Sequence, residues 1–322
     1  MLKKTSSPIP PLQGEGWGWD FQVKKTITTL LKAGVSIAIL VYLFRTIDFA
    51  EVWQLFKHVH VEYLVFALGL YLIGQVFCAY RWKLVASLMG FHNKFGEFFT
   101  YYFIGMFFNL FLPTAIGGDV GKCYYLARGN KKVLRAVVSV LADRGAGLVV
   151  LIIIAGISLT LVNGISLPSS LPAGIIIGNV AVVIGLVTPI FAGKYLSRLG
   201  EKVSLLLTYW KQPLPLIKAI GISFIFHALI IIIHILIGLS LEMNIPWKFY
   251  LFVVPLVVTV SMLPISLSGI GLREGAYVFF LAFVNVPKTE ALTFAFGWFT
   301  IMVMSSLAGG IVFAVHSLVS RK

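Results

Sequence analysis

The chain reads as an all-α polytopic membrane protein, with about six full transmembrane helices and two re-entrant helical hairpins arranged as an inverted repeat. Three observations predict this. Hydrophobic residues make up 59% of the chain and charged residues only 12%, about half the charge of an ordinary globular domain. Apolar stretches long enough to cross a hydrocarbon core of about 30 Å recur along the whole sequence. Two further apolar stretches are interrupted by proline and glycine, and they are interrupted in the same way.

The full spans are expected at Thr26–Phe44, Val61–Tyr80, 136–163, 173–191, 218–241 and 291–317. Backbone polar groups in lipid must be satisfied within the segment, so these are helices, and the short alternating runs of a transmembrane barrel are not seen. Mean hydropathy is +0.95. The first 23 residues, with Pro8, Pro10, Pro11, Gly14, Gly16 and Gly18, read as a disordered cytoplasmic tail without the apolar core of a signal peptide. Residues 24–320 form a single transmembrane domain, with halves at about 24–165 and 173–318. Between the first two spans, Asp48 to Phe56 is amphipathic and is expected to lie flat in the outer interface.

A net charge of +14 does not point to nucleic acid here. The basic residues sit in short loops beside helix ends, where they orient a membrane protein and meet anionic headgroups. With both termini cytoplasmic, most of the lysines and arginines fall inside, provided that 97–127 enters from the cytoplasm and returns there. The break Leu112-Pro113-Thr114-Ala115-Ile116-Gly117-Gly118-Asp119 cannot continue a helix, which supplies the turn of that hairpin. A second break, Leu263-Pro264 to Gly269-Ile270-Gly271, turns a hairpin over 249–286 from the outer side. The breaks correspond at one fixed offset: Leu112-Pro113 with Leu263-Pro264, Gly118 with Gly269, Lys122 with Arg273. Two unrelated kinks remain the alternative to an inverted repeat. The second helix of each hairpin is expected to start near 119 or 272. Its unpaired N–H groups and positive dipole end then favour an anionic group such as phosphate.

Ionisable residues inside membrane segments are candidate site residues, since each costs about 3 kcal/mol to insert. They are Asp119 and Lys122 on the first hairpin, Asp143 and Arg144 in 136–163, and Arg273 and Glu274 on the second hairpin. Neighbours on a helix point about 100° apart, so Asp143 and Arg144 are not expected to pair. Asp143 is expected to pair with a cation from a hairpin, leaving a net positive cavity for a lipid phosphate. Structural glue is the competing role. Arg81, in Tyr80-Arg81-Trp82, is read chiefly as an interfacial anchor. His227 and His234 share one face of 218–241, which leaves a proton relay or polar packing. Cys78 and Cys123 read as packing residues, with no zinc or redox spacing.

At Asn109, Pro113, Gly117-Gly118-Asp119, Asp143-Arg144, Pro264, Gly269-Ile270-Gly271 and Arg273-Glu274, the chain resembles the membrane domain of the lysylphosphatidylglycerol synthase/flippase family. That family includes stand-alone bacterial and archaeal relatives and the membrane part of an archaeal dolichol-linked glycosyltransferase. The resemblance covers nearly all of 24–320. It implies a lipid transporter, because in full-length relatives this domain moves an aminoacylated phospholipid that a soluble C-terminal domain makes. That synthase domain is not expected here. Together with the intramembrane charges and the break glycines, the resemblance makes Asn109, Gly117, Gly118, Asp119, Lys122, Asp143, Arg144, Gly269, Gly271, Arg273 and Glu274 the candidate substrate-binding residues. Lys122 departs from the arginine common in relatives and gives up bidentate phosphate recognition.

The expected function is flippase- or scramblase-like translocation of an anionic or aminoacylated phospholipid, or a lipid-linked saccharide, across the cell (inner) membrane. No enzyme activity, cofactor or metal is expected, and no nucleotide-binding loop is seen. Two alternatives stay open: a non-catalytic membrane partner of a separate lipid-modifying enzyme, and a polyprenyl-phosphate-dependent transferase. The expected partners are membrane lipids, such an enzyme, and a second copy in a homodimer; nucleic acid is not among them.

Overall fold

The computed structural model describes residues 31, 33–39, 41–43, 45, 52, 55, 57–111, 117–128, 132–162, 165, 167–196, 200–263, 265, 266 and 268–319. The tail at 1–23, most of 48–56, and the break residues 112–116, 264 and 267 lie outside the described residues. Among the described residues the elements are all helical: α1 (Ala33–Leu43), α2 (Val61–Ser87), α3 (Phe95–Phe111), α4 (Gly117–Ala127), α5 (Val133–Leu159), α6 (Ser170–Leu196), α7 (Glu201–Lys211), α8 (Pro213–Ser240), α9 (Trp247–Ser261), α10 (Leu272–Leu281) and α11 (Lys288–Val319). Five of them, α2, α5, α6, α8 and α11, are long and apolar enough to cross a membrane.

The two interrupted stretches are pairs of shorter helices, as their sequences predict. α3 stops at Phe111, just before Leu112-Pro113, and α4 restarts at Gly117. α9 ends at Ser261 and α10 begins at Leu272. The link between them passes through three left-handed residues, Ser268, Gly269 and Gly271, with φ of 53°, 79° and 82°. Glycine adopts that conformation at little steric cost, which is why it holds two of the three positions.

α2 and α8 pack against each other along their length at the centre. Around this pair, α3 packs on α11 and α5 packs on α9, while α4 meets α5 and α10 meets α11. Small residues let the backbones approach, as they do where lipid removes any hydrophobic drive between helices. A Cβ on Gly118 would run into the carbonyl of Gly105, and one on Gly309 into that of Phe103. Aromatic rings fill the remaining space, with Trp82 edge-on to Phe98 at 4.9 Å and Tyr71 edge-on to Trp298 at 5.3 Å.

The basic segment after α6 holds one helix that the apolar pattern did not single out. α7 is eleven residues long and buries Leu207 and Tyr209. The Tyr209 hydroxyl donates to Val85 O at 3.3 Å, and the Trp210 indole donates to Leu186 O at 2.9 Å. Its hydrophobic side is too short to register as a span, and tertiary contacts with α2 and α6 hold it.

Candidate functional site

Two adjoining cavities open between the central pair and the broken helices. One, of about 240 Å³, is lined by polar groups including Gln75, Arg81, Asn109, Lys122, Asp143 and His227. The other, of about 280 Å³, is lined by Ser261, Ser268, Arg273 and Tyr277 among apolar side chains. Tyr71, Met106, Asn109, Arg144, Val258 and Met262 belong to both walls, so Arg144 and Asn109 stand where the chambers meet.

The charges are arranged as three ion-paired groups. Arg81 donates from Nε to Asp143 Oδ1 at 2.7 Å and from Nη1 to Ser223 Oγ at 2.9 Å. Both ends of this pair are almost wholly buried. Asp143 thus takes its cation from α2 and not from a hairpin. Arg81 is not an interfacial anchor, because α2 continues to Ser87 and carries the guanidinium inward. Asp119 is shared by Arg144 and by Lys122, the latter at 3.6 Å. Lys122 Nζ also lies 3.7 Å from the centroid of Tyr102, a favourable cation–π placement. Arg273 pairs with Glu274, donating from Nε at 3.0 Å, and its guanidinium lies 5.3 Å from the Phe299 centroid. Asp143 and Arg144 do not pair with each other, as their helical spacing predicts.

Among the described residues, four cations therefore face three carboxylates around the two cavities, which leaves one positive charge over. Moving ions out of water costs several kcal/mol each, and pairing recovers it only with good geometry. The Arg81–Asp143 and Arg273–Glu274 pairs have hydrogen-bonding geometry, and the surplus cation biases the cavities toward an anion.

The helix starts that follow the two breaks are closed differently from the sequence expectation. Gly118 N donates to Asn109 Oδ1 at 2.9 Å, and Gly271 N donates to Glu274 Oε2 at 2.7 Å. These N–H groups are already satisfied by side chains, so they do not face a ligand. Gly117 and Gly118 sit buried in the first turn of α4. Gly269 supports the left-handed turn, and Gly271 packs on α1, where a Cβ would lie 2.9 Å from Ser36 O. None of the four glycines lines either cavity. Of the predicted residues, Asn109, Lys122, Asp143, Arg144 and Arg273 line the cavities, while Asp119 and Glu274 stand behind them as ion-pair partners.

Sequence reasoning missed Gln75, Tyr71, Tyr102 and Ser223, and gave Arg81 the wrong surroundings. A buried amide in an otherwise apolar span was the available signal for Gln75. His227 and His234, which share a helix face, have different neighbours. His234 is enclosed by Tyr277, Phe294 and Trp298, with Nε2 on the Tyr277 hydroxyl and Nδ1 on Ile230 O. His227 uses Nε2 on Gly147 O at 3.1 Å, which makes Nε2 the donor, and it lines the polar cavity with Nδ1 lacking a hydrogen-bond partner. Among the described residues, no group of three His, Cys, Asp or Glu side chains is placed to hold a metal.

Comparison with known proteins agrees with the geometry. The family described as the lysylphosphatidylglycerol synthase TM region matches residues 29–310. UPF0104 membrane protein MJ1595 of Methanocaldococcus jannaschii is 26% identical over 106 residues. That match covers 33% of this chain and 30% of the relative's length. No solved structure matches. With apolar helices, two interrupted helical stretches and a family match spanning most of its length, the chain belongs to the lysylphosphatidylglycerol synthase transmembrane-region family.

Proposed function

We propose that this protein carries a lipid with an anionic head between the leaflets of the cell membrane, as a flippase- or scramblase-like transporter and not as an enzyme. The observation that carries the reading is the pair of adjoining cavities, holding one surplus cation and meeting at Arg144. The apolar walls of the second chamber suit the first methylenes of an acyl chain, and the polar chamber suits a phosphate and its substituent.

The helix pairing supports an inverted repeat. Exchanging α2 with α8, α3 with α9, α4 with α10 and α5 with α11 maps the packing pattern onto itself. If each broken pair enters and leaves on one side, each half crosses the membrane an odd number of times, and the halves are inverted. Alternating access about a central site is the usual working mode of such a repeat. The basic loops support a topology with both termini in the cytoplasm. Anionic or aminoacylated phospholipids and lipid-linked saccharides are the proposed cargo, and a separate lipid-modifying enzyme is the proposed source.

The test is leaflet translocation in proteoliposomes, using head-labelled phosphatidylglycerol and its aminoacylated form. Wild type is expected to exceed protein-free vesicles, and Arg144→Gln to lose on the order of tenfold or more, since a charge-assisted contact contributes about 1.5–3 kcal/mol. Thermal unfolding and gel filtration confirm that the variant folds. Wild-type rates equal to those of empty vesicles for both lipids would overturn the proposal.

A further inference from the structure

Among the described residues the site holds three buried carboxylates, and they are not held alike. Both oxygens of Glu274 are committed, one to the backbone of Gly271 and one to Arg273. Asp143 is fixed by Arg81, which Ser223 holds in turn. Asp119 is different. It is only 6% exposed, its Oδ1 has no hydrogen-bond partner, and the ammonium of Lys122 is 3.6 Å away, beyond bonding distance. Its close partner is Arg144, whose side chain is 35% exposed and lines both cavities. The least satisfied carboxylate is thus bonded to the cation that an arriving anion meets.

Resting on the function proposed above, we infer that Asp119 is the proton carrier of the transport cycle, exchanging Arg144 for a proton when the lipid phosphate binds. The phosphodiester oxygens take over the Arg144 guanidinium, and the Arg144–Asp119 ion pair breaks. Asp119 then keeps a buried oxygen without a bond, its other oxygen has lost its partner, and a second anion lies beside it. Desolvation and a like charge both raise the proton affinity of a carboxylate. The phosphodiester is much the stronger acid and stays ionised, so the carboxylate takes up the proton, which comes from the water of the open side. One lipid anion and one proton enter the site together and leave together. The site's charge does not change, which avoids burying an additional ion.

The charged and titratable groups that face Asp119 are Lys122 and Cys123 on its own helix and Arg144 on α5; the cavity that Lys122 and Arg144 line is also lined by Asp143 on α5, Tyr102 on α3 and Arg81 on α2. Lys122 lines the same cavity 3.6 Å from Asp119 Oδ1, where it is available to the phosphate once Asp119 is neutral.

The experiment measures the leaflet distribution of head-labelled phosphatidylglycerol in wild-type proteoliposomes under an imposed pH gradient. The same gradient on protein-free vesicles gives the background. One proton per lipid anion makes the steady-state ratio shift on the order of tenfold per pH unit. The lipid moves toward the alkaline side, and an imposed membrane potential has no effect because the cycle is electroneutral. Asp119→Glu is expected to keep the gradient response and Asp119→Asn to lose it. Translocation with a distribution indifferent to the gradient, or driven by potential, overturns the inference while leaving the proposed function standing. An unaltered response in Asp119→Asn removes the role from Asp119. Inorganic phosphate supplied without labelled lipid is expected to move no protons into the lumen; proton uptake with it would overturn the lipid as the source of the anion. Absence of translocation in wild type overturns the function, and the inference with it.

Discussion

Arg81 and Asp143 carry opposite charges in a place where neither is tolerated alone. Replacing Arg81 with methionine leaves a buried carboxylate unpaired, at a cost of about 3–5 kcal/mol. Replacing both, as Arg81→Met with Asp143→Leu, is expected to recover most of that stability. Thermal unfolding of the detergent-solubilised variants reads both effects. A double variant as unstable as the single one would mean that the pair contributes more than mutual neutralisation. The sequence identified Asp143 and Arg144 as intramembrane charges and showed by helical geometry that they diverge. It did not identify Arg81 as the partner, because a Tyr-Arg-Trp triplet reads the same at a helix end and one turn inside it. Where the helix stops decides between them, and packing sets that stop.

At the scale of helices, the charged ends behave as joints. His60, just before α2, bonds through Nδ1 to Glu62 at 3.0 Å and through Nε2 to Glu242, beyond α8, at 3.1 Å, while its N–H bonds to Ser240 O at 3.0 Å. The side-chain bonds to Glu242 and Glu62 raise the imidazole pKa above its ordinary value. A raised value means that the latch is fully closed below about pH 6.5, the ordinary histidine value, and is lost as pH rises through the shifted one. Spin labels on Lys57 and Met243 are therefore expected to show a narrower distance distribution at pH 6 than at pH 9, and His60→Gln to abolish the difference. A distribution that broadens toward acid would reverse the assignment. The broken helices themselves were legible, since Pro113, Pro264 and their glycines mark both interruptions. The capping of α4 by Asn109 and of α10 by Glu274 was not, for a side chain that reaches across a turn is chosen by tertiary geometry.

Over the whole molecule, the long helical spans followed from apolar length, a one-dimensional property that lipid enforces directly. The location of the cavities did not, because it depends on which helices cross at the centre. The proposed topology makes a plain expectation. Single cysteines at His92 and Gln212 react with an impermeant thiol reagent from the cytoplasmic side, and one at Glu242 reacts from the opposite side. Labelling of all three from one face would remove the inverted repeat.

α6 and α10 stand at opposite extremes of self-sufficiency. The membrane-crossing part of α6, Ser170–Ala192, has a hydropathy of 2.4 and only 6% of that stretch is buried by the rest of the protein. Little of it needs covering by other helices, so it can settle in the bilayer as soon as it leaves the insertion machinery, before the helices that follow it exist. α10 has ten residues and carries Arg273 and Glu274, so it is too short to span and too polar to insert unaided. It must wait for α11, which packs along it and is made next. Biogenesis of this chain is therefore expected to be uneven in time. The outer helix is expected to be placed during synthesis, and the half of the candidate site that holds Arg273 to be assembled last.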